Sequence, residues 1–274
     1  MARSTDAQAL EGAEATPAPG ARGLGARLRP ALVPAASIAG FLLLWQLAAM
    51  AADDHLLLPT PAAVLAVFLK ATASGALPYH LGVTLLRVAA SFAVAMAIGT
   101  AIGLAMGRSP LFDRIAHPWL VLFLNIPALV TIVLAYIWIG LVESAVIVAV
   151  AANKIPNVVV TLREGARTLD RDLMEMAESF RIGWRRTLTR VVLPQLYPYL
   201  AAAARSGLAL IWKIVLVTEL LGRSNGVGFQ IGLYFQLFDV ASILAYSLAF
   251  VAVIQLIEWT LLLPLERHVN RWRR

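Results

Sequence analysis

Two lysines and one asparagine stand where apolar residues are expected, and they are the first candidates for chemistry. Lys154 and Asn157 belong to the run NKIPN, in which Pro156 also frees a backbone carbonyl, and Lys213 sits in LIWKIVL. An ionisable side chain inside a span-length apolar run is costly and by default marks a functional site. Ammonium groups there would give positive potential to a pathway for an anion. The competing reading is structural: a neutralising pair with Glu219 or Glu258, or contact with a neighbouring helix. Arg87 and Arg205 lie within about two turns of helix ends and are expected to snorkel to the interface. Covalent chemistry finds no support. The chain has no cysteine, its four histidines show no HExxH spacing, and no Gly-rich phosphate loop ends in Gly-Lys-Ser/Thr. We therefore assign no catalytic residue, no metal ligand and no cofactor; any ATP hydrolysis would fall to a partner.

A second candidate is the longest polar interruption, Arg163 to Arg190. Within it Leu173, Met176, Ala177 and Phe180 recur at helical spacing and leave Asp172, Glu175, Glu178 and Ser179 on other faces. An amphipathic helix of this kind either lies flat on lipid, as its flanking arginines favour, or fills a partner's groove.

The elements that carry these residues are apolar. Of 274 residues 60% are hydrophobic and 14% charged, with a mean hydropathy of +0.77, whereas soluble domains carry about a quarter charged residues. A bilayer core needs about 20 predominantly apolar residues per helix, and six such runs occur: 33–52, 81–106, 119–141, 142–162, 199–220 and 241–263. The expected fold is an all-α, polytopic membrane protein. Gly99, Gly103 and Gly107 are spaced four apart on the second run, the pattern of close helix packing. A short apolar helix flanked by Pro59, Pro61 and Pro78 should lie at the interface or pack under the bundle.

Charge sets the expected orientation. Seventeen basic residues fall in the N-terminal tail, the 107–118 segment, the 163–190 segment and the C-terminus, while the opposite loops hold only Lys70 and Arg223. Basic residues stay on the cytoplasmic side, so both termini should be cytoplasmic. The same rule accounts for the net charge of +7 without nucleic acid as a partner. Residues 1–30, rich in Ala, Gly, Pro and Arg, read as a disordered tail. The transmembrane domain is 31–274, with its cytoplasmic loop at about 163–195.

The stretch EMAESFRIGWRRTLTRVVLPQLYP resembles the signature loop of bacterial binding-protein-dependent ABC permeases: Glu-Ala-Ala, three residues, Gly, nine residues, Ile-x-Leu-Pro. Glu175, Met176 and Ala177 take the first three places, Val191 the Ile, and Leu193 and Pro194 the closing pair. Arg181 stands where the family has glycine, and a glycine follows at Gly183. An arginine pays a penalty at positive φ, so the turn is expected to have slid to Gly183. From Leu56 to Trp272 the chain is similar to the branch importing nitrate, sulfonates or taurine. LLLPTP resembles its opening segment and TLLR its second span. Ile126-Pro127, Trp138-x-Gly140, Arg205, Trp212, Glu219 and Gly226-Val227-Gly228 follow in order, although Val133 replaces a usual proline.

The resemblance implies a six-helix subunit of the inner (plasma) membrane that pairs with a second copy as a homodimer. It also implies docking on two ABC ATPase subunits and solute delivery by an extracytoplasmic binding protein. Glu175, Met176, Ala177, Arg181, Gly183, Leu193 and Pro194 would carry coupling, and Lys154, Asn157 and Lys213 would line the substrate pathway. The rival reading is a self-contained channel or ion-gradient-driven transporter, which would need its own coupling-ion site near midplane.

Overall fold

The structure, a computed structural model, describes residues 24–52, 54, 56–262 and 264. Every regular element among these is helical. The sequence-based tail reading falls mostly on residues outside this set. The chain divides into two units at Asp53/Asp54. The first contains α1 (Leu24–Ala52), the helix expected at 33–52.

The second unit holds the bundle. α2 (Pro61–Ala73) starts where the Thr60 hydroxyl accepts the Ala63 N–H at 3.3 Å and Pro61 needs no donor. It packs on α3 (Ala76–Arg108) and α11 (Val240–Ile257). Next come α4 (Pro110–Asn125), α5 (Ala128–Ile139) and α6 (Glu143–Arg167). The short helices α7 (Arg171–Ser179) and α8 (Trp184–Thr187) lead through a π-helical turn, Leu188–Val192, into α9 (Leu193–Gly222). Finally, α10 (Val227–Gln236) precedes α11, which ends in a second π-helical turn, Glu258–Leu262.

Four helical stretches are long and apolar enough to cross a membrane: 76–108, 143–167, 184–222 and 240–260. The run expected as one span at 119–141 is built from two helices bent by 98°. Pro127 has no N–H to donate and forces Ile126 out of the helical region, to φ −71°, ψ 123°.

That broken pair still has to traverse the bundle. A methyl group on Gly99 would lie 2.6 Å from Val158 Cβ, one on Gly103 2.8 Å from Leu162 Cβ, and one on Gly107 would collide with Ala166. The three contacts ascend together in both helices, so α3 and α6 run parallel at near backbone contact. The segment between them, α4 and α5, must carry the chain back from the end of α3 to the start of α6. α9 runs the other way: Gly207 meets Lys154 and Gly165 meets Tyr199. Val146, Val150, Ile211, Val215, Tyr246 and Phe250 fill the core at one end, and Val158, Leu162, Val192, Leu196 and Ala203 fill it at the other.

Candidate functional site

α7 closes the end of the bundle where α6 stops and α9 begins. Its start is fixed by Asp170, whose side chain accepts the N–H groups of Asp172 (2.9 Å) and Leu173 (3.2 Å). Its inner side is anchored by Ala177, which is buried, and by Met174, which packs on the Leu162 and Leu196 cluster. Its outer side is bare: Leu173, Met176 and Phe180 share one stripe and are all exposed, as is Trp184 just beyond. Glu175 is also exposed and faces Arg171 one turn back at 3.3 Å. A groove of about 680 Å³ opens beside this helix, walled in part by Arg108, Glu175, Glu178 and Trp184.

The helix ends on Arg181, not on Gly183. Arg181 adopts φ +48° and Gly183 φ −59°, which corrects the expected slide of the turn. Two hydrogen bonds hold the arginine there. Arg181 N–H donates to Glu178 C=O (2.9 Å) and Ile182 N–H to Ala177 C=O (2.9 Å), closing the turn of a left-handed C-terminal cap. Together they outweigh the preference for glycine. Gly183 instead starts α8, its carbonyl accepting from Arg186 and Thr187, and a side chain there would meet nothing within 4 Å. Leu193 and Pro194 open α9, with Pro194 exposed just after the π-helical turn. A proline leaves the carbonyl four residues back without its usual donor, consistent with the widened turn.

The opposite end of the bundle holds a cluster whose roles the sequence did not reveal. Arg87, expected to snorkel, is buried and spends its whole guanidinium on protein acceptors. Nε and Nη2 grip Glu143 at 2.8 and 2.7 Å, and Nη1 reaches Glu219 at 2.7 Å and the Asn225 carbonyl at 2.8 Å. Nη2 also contacts the Asn225 side chain. The other Glu219 oxygen accepts from Thr84 Oγ1 (2.9 Å) and Gly228 N–H (2.9 Å), while Thr84 accepts Val227 N–H at 2.8 Å. Arg223 binds Glu143 and the Leu141 carbonyl.

Gly226 makes this turn possible: its φ is +105°, its N–H donates to His80 Nδ1 at 3.0 Å, and a Cβ there would strike the Glu219 carboxylate. Two arginines and two glutamates thus fasten α3, α6, α9 and α10 together. With its charges balanced and the donors of Arg87 used, the cluster positions helices. The clue in sequence was the Gly-Val-Gly turn seven residues beyond a buried-type glutamate.

Of the expected pathway residues, Lys154 is set apart from Asn157 and Lys213 by its burial. Glu219 pairs with Arg87, neither with Lys154 nor with Lys213. Lys154 is buried between α6 and α9, its Cε 2.9 Å from where a Gly207 methyl would sit, and it makes no ion pair or hydrogen bond among the described residues. Asn157 and Lys213 are exposed, on α6 and α9 respectively. Arg205 also lies on the exposed face of α9. Among the described residues no three His, Asp or Glu side chains converge to hold a metal ion.

An all-helical chain with four helices long and apolar enough to cross a membrane, and a bent pair that together could form a fifth, is the architecture of a polytopic membrane protein. The family described as binding-protein-dependent transport system inner membrane component matches residues 95–263, and the chain belongs to it. It is 29% identical to a Bacillus subtilis protein assigned as the aliphatic sulfonates transport permease SsuC, over 88% of this chain and 86% of that one. It is 26% identical to the taurine transport system permease TauC of Escherichia coli, over 83% and 84%. The bicarbonate transport system permease CmpB of Synechococcus elongatus is 25% identical, over 73% and 76%.

Proposed function

We propose that this chain is the membrane-spanning half of an ATP-driven importer for a small oxyanion such as a sulfonate, taurine, nitrate or bicarbonate. Two copies form the pore, a separate ATPase pair docks on α7, and a binding protein delivers solute at the Arg87 end. The α7 end then faces the cytoplasm of a bacterial cell, in keeping with its excess of arginine.

The observation that carries this reading is the uncovered stripe Leu173, Met176 and Phe180 with Glu175 beside it, on a helix seated at the ends of α6 and α9. A short rigid helix of this kind conveys movement because packed helices shift as bodies. The relatives support the solute class, since each is named for an acid that is anionic or carries an anionic group at neutral pH. A lipid-resting helix predicts a different response to charge, because added positive charge favours anionic lipid. Glu175→Lys should leave the protein in the membrane at normal levels and abolish co-purification of the ATPase and solute-stimulated ATP hydrolysis. Retention of both would overturn docking through α7.

A further inference from the structure

The face of α6 turned away from α3 changes character halfway along. Near its start it is apolar and covered: α5 lays Ile132 and Ala135 over Ala149, and Val146 and Val150 are buried in the core. Beyond the break at Asn125–Pro127, α4 departs at 98° and packs on the Pro156 and Val159 side instead. The face it leaves open carries Asn153, Asn157, Thr161 and Glu164, spaced four, four and three residues apart; Asn157 and Glu164 are exposed, Asn153 and Thr161 partly buried.

The carboxamides of Asn153 and Asn157 have no hydrogen bond among the described residues. The Thr161 hydroxyl donates only to the Asn157 backbone carbonyl, at 3.1 Å. On the neighbouring antiparallel α9, Ser206 and Lys213 are exposed as well. Hydrocarbon cannot satisfy such groups, so a polar stripe in the half of a span leading to α7 has to meet water or another polar surface.

We propose that Asn153, Asn157 and Thr161, with Ser206, line a water-filled half-channel opening at the α7 end, with Lys213 on the same side toward its inner, closed end, and that they contact the transported solute there. The inference rests on the importer reading and adds the lining and its chemistry. Carboxamide and hydroxyl groups donate hydrogen bonds at neutral charge and Lys213 supplies one ammonium, a combination suited to a small, singly charged oxyanion that must also leave. A wall of arginines would hold it. Lys154 is excluded from the lining by its burial.

The cysteine-free chain makes the test direct. Single substitutions Asn153→Cys, Asn157→Cys and Thr161→Cys, with Leu86→Cys as an exposed apolar control, are introduced into the assembled transporter in inside-out vesicles. They are treated with an anionic methanethiosulfonate (sulfonatoethyl) and a cationic one (trimethylammonioethyl). The three stripe variants should react and the control should not. At Asn157→Cys the anionic reagent should be faster by about tenfold, as local positive potential concentrates an anion, and Lys213→Gln should erase that preference. Two results would overturn the proposal. Unreactive stripe variants that form a disulfide between copies under oxidation would give this face to the dimer contact; unreactive variants that form none would place it against lipid. ATPase co-purification with the same variants reports separately on the importer reading, which stands if it persists while labelling fails.

Discussion

The two ends of the bundle handle charge in opposite ways. At one end Arg87, Glu143, Glu219 and Arg223 neutralise each other, and every donor of Arg87 is used inside the chain. At the other, Glu175 is exposed and, among the described residues, pairs with a neighbouring arginine on its own helix, beside an apolar stripe left exposed by the described residues. A saturated cluster holds a fold together, and removing one member strands the rest. An unsaturated surface contributes little to folding and becomes valuable when a partner covers it. On the proposed function, the contrast separates residues that build this protein from residues that would meet a partner.

The comparison breaks first at the saturated end. Arg87→Met leaves Glu219 buried without a cation and should cost about 3–5 kcal/mol, read as loss of folded protein and of the thermal midpoint in detergent. Adding Glu219→Leu should recover part of that loss. A wild-type midpoint for Arg87→Met would show that the cluster is not the fastening described. At the unsaturated end, Phe180→Ala should leave folding stability within about 0.5 kcal/mol of wild type. The same change should weaken ATPase co-purification by about 2 kcal/mol, as for an interface anchor. A drop in stability without loss of docking would reverse the assignment.

Lys154 sharpens the contrast because it is buried like Arg87 yet unpaired within the described chain. Lys154→Met keeps length and bulk while removing a desolvated charge, and should raise folding stability by on the order of 1 kcal/mol. A clear fall would mean that the ammonium has a partner in the assembled transporter. The smallest effects belong to the α7 cap. Arg181→Gly relieves a left-handed backbone and should stabilise by about 1 kcal/mol. Gly183→Val should change stability by less than about 0.5 kcal/mol, since its φ is ordinary and its surroundings are open. Circular dichroism melting of the two variants would settle the order.

The spans were legible because bilayer thickness dictates their length: the runs at 81–106, 142–162, 199–220 and 241–263 each fall on a helix long and apolar enough to cross a membrane. The glycine ladder was legible too, its period announcing close packing before any partner was known. The bend at Asn125–Pro127 was written in the proline but was overridden by the continuity of the apolar run around it.

Partner choice was not legible. Arg87 meets Glu143 and Glu219 across 56 and 132 residues, and nothing in the local sequence says which carboxylate a buried arginine will reach. The burial of Lys154 beside the exposed Asn157 and Lys213 was hidden for a related reason: a lysine's place in the sequence shows its depth in a span but not which face it occupies. Arg181 misled because intrinsic preference favoured Gly183, whereas two backbone hydrogen bonds of the cap decided the turn.

The contact of α3 with α6 at Gly99, Gly103 and Gly107 also has a mechanical side. Two helices meeting almost backbone to backbone over three successive turns have no side-chain cushion between them, so neither can slide or roll without lifting off the other. They behave as one stiff beam, bolted at one end by Arg87 to Glu143 and continuing at the other, within four residues of Arg167, into α7. Force applied at α7 therefore cannot be absorbed as slippage between α3 and α6. It has to appear as a tilt of the whole beam about its bolted end, with the greatest travel at the end nearest α7.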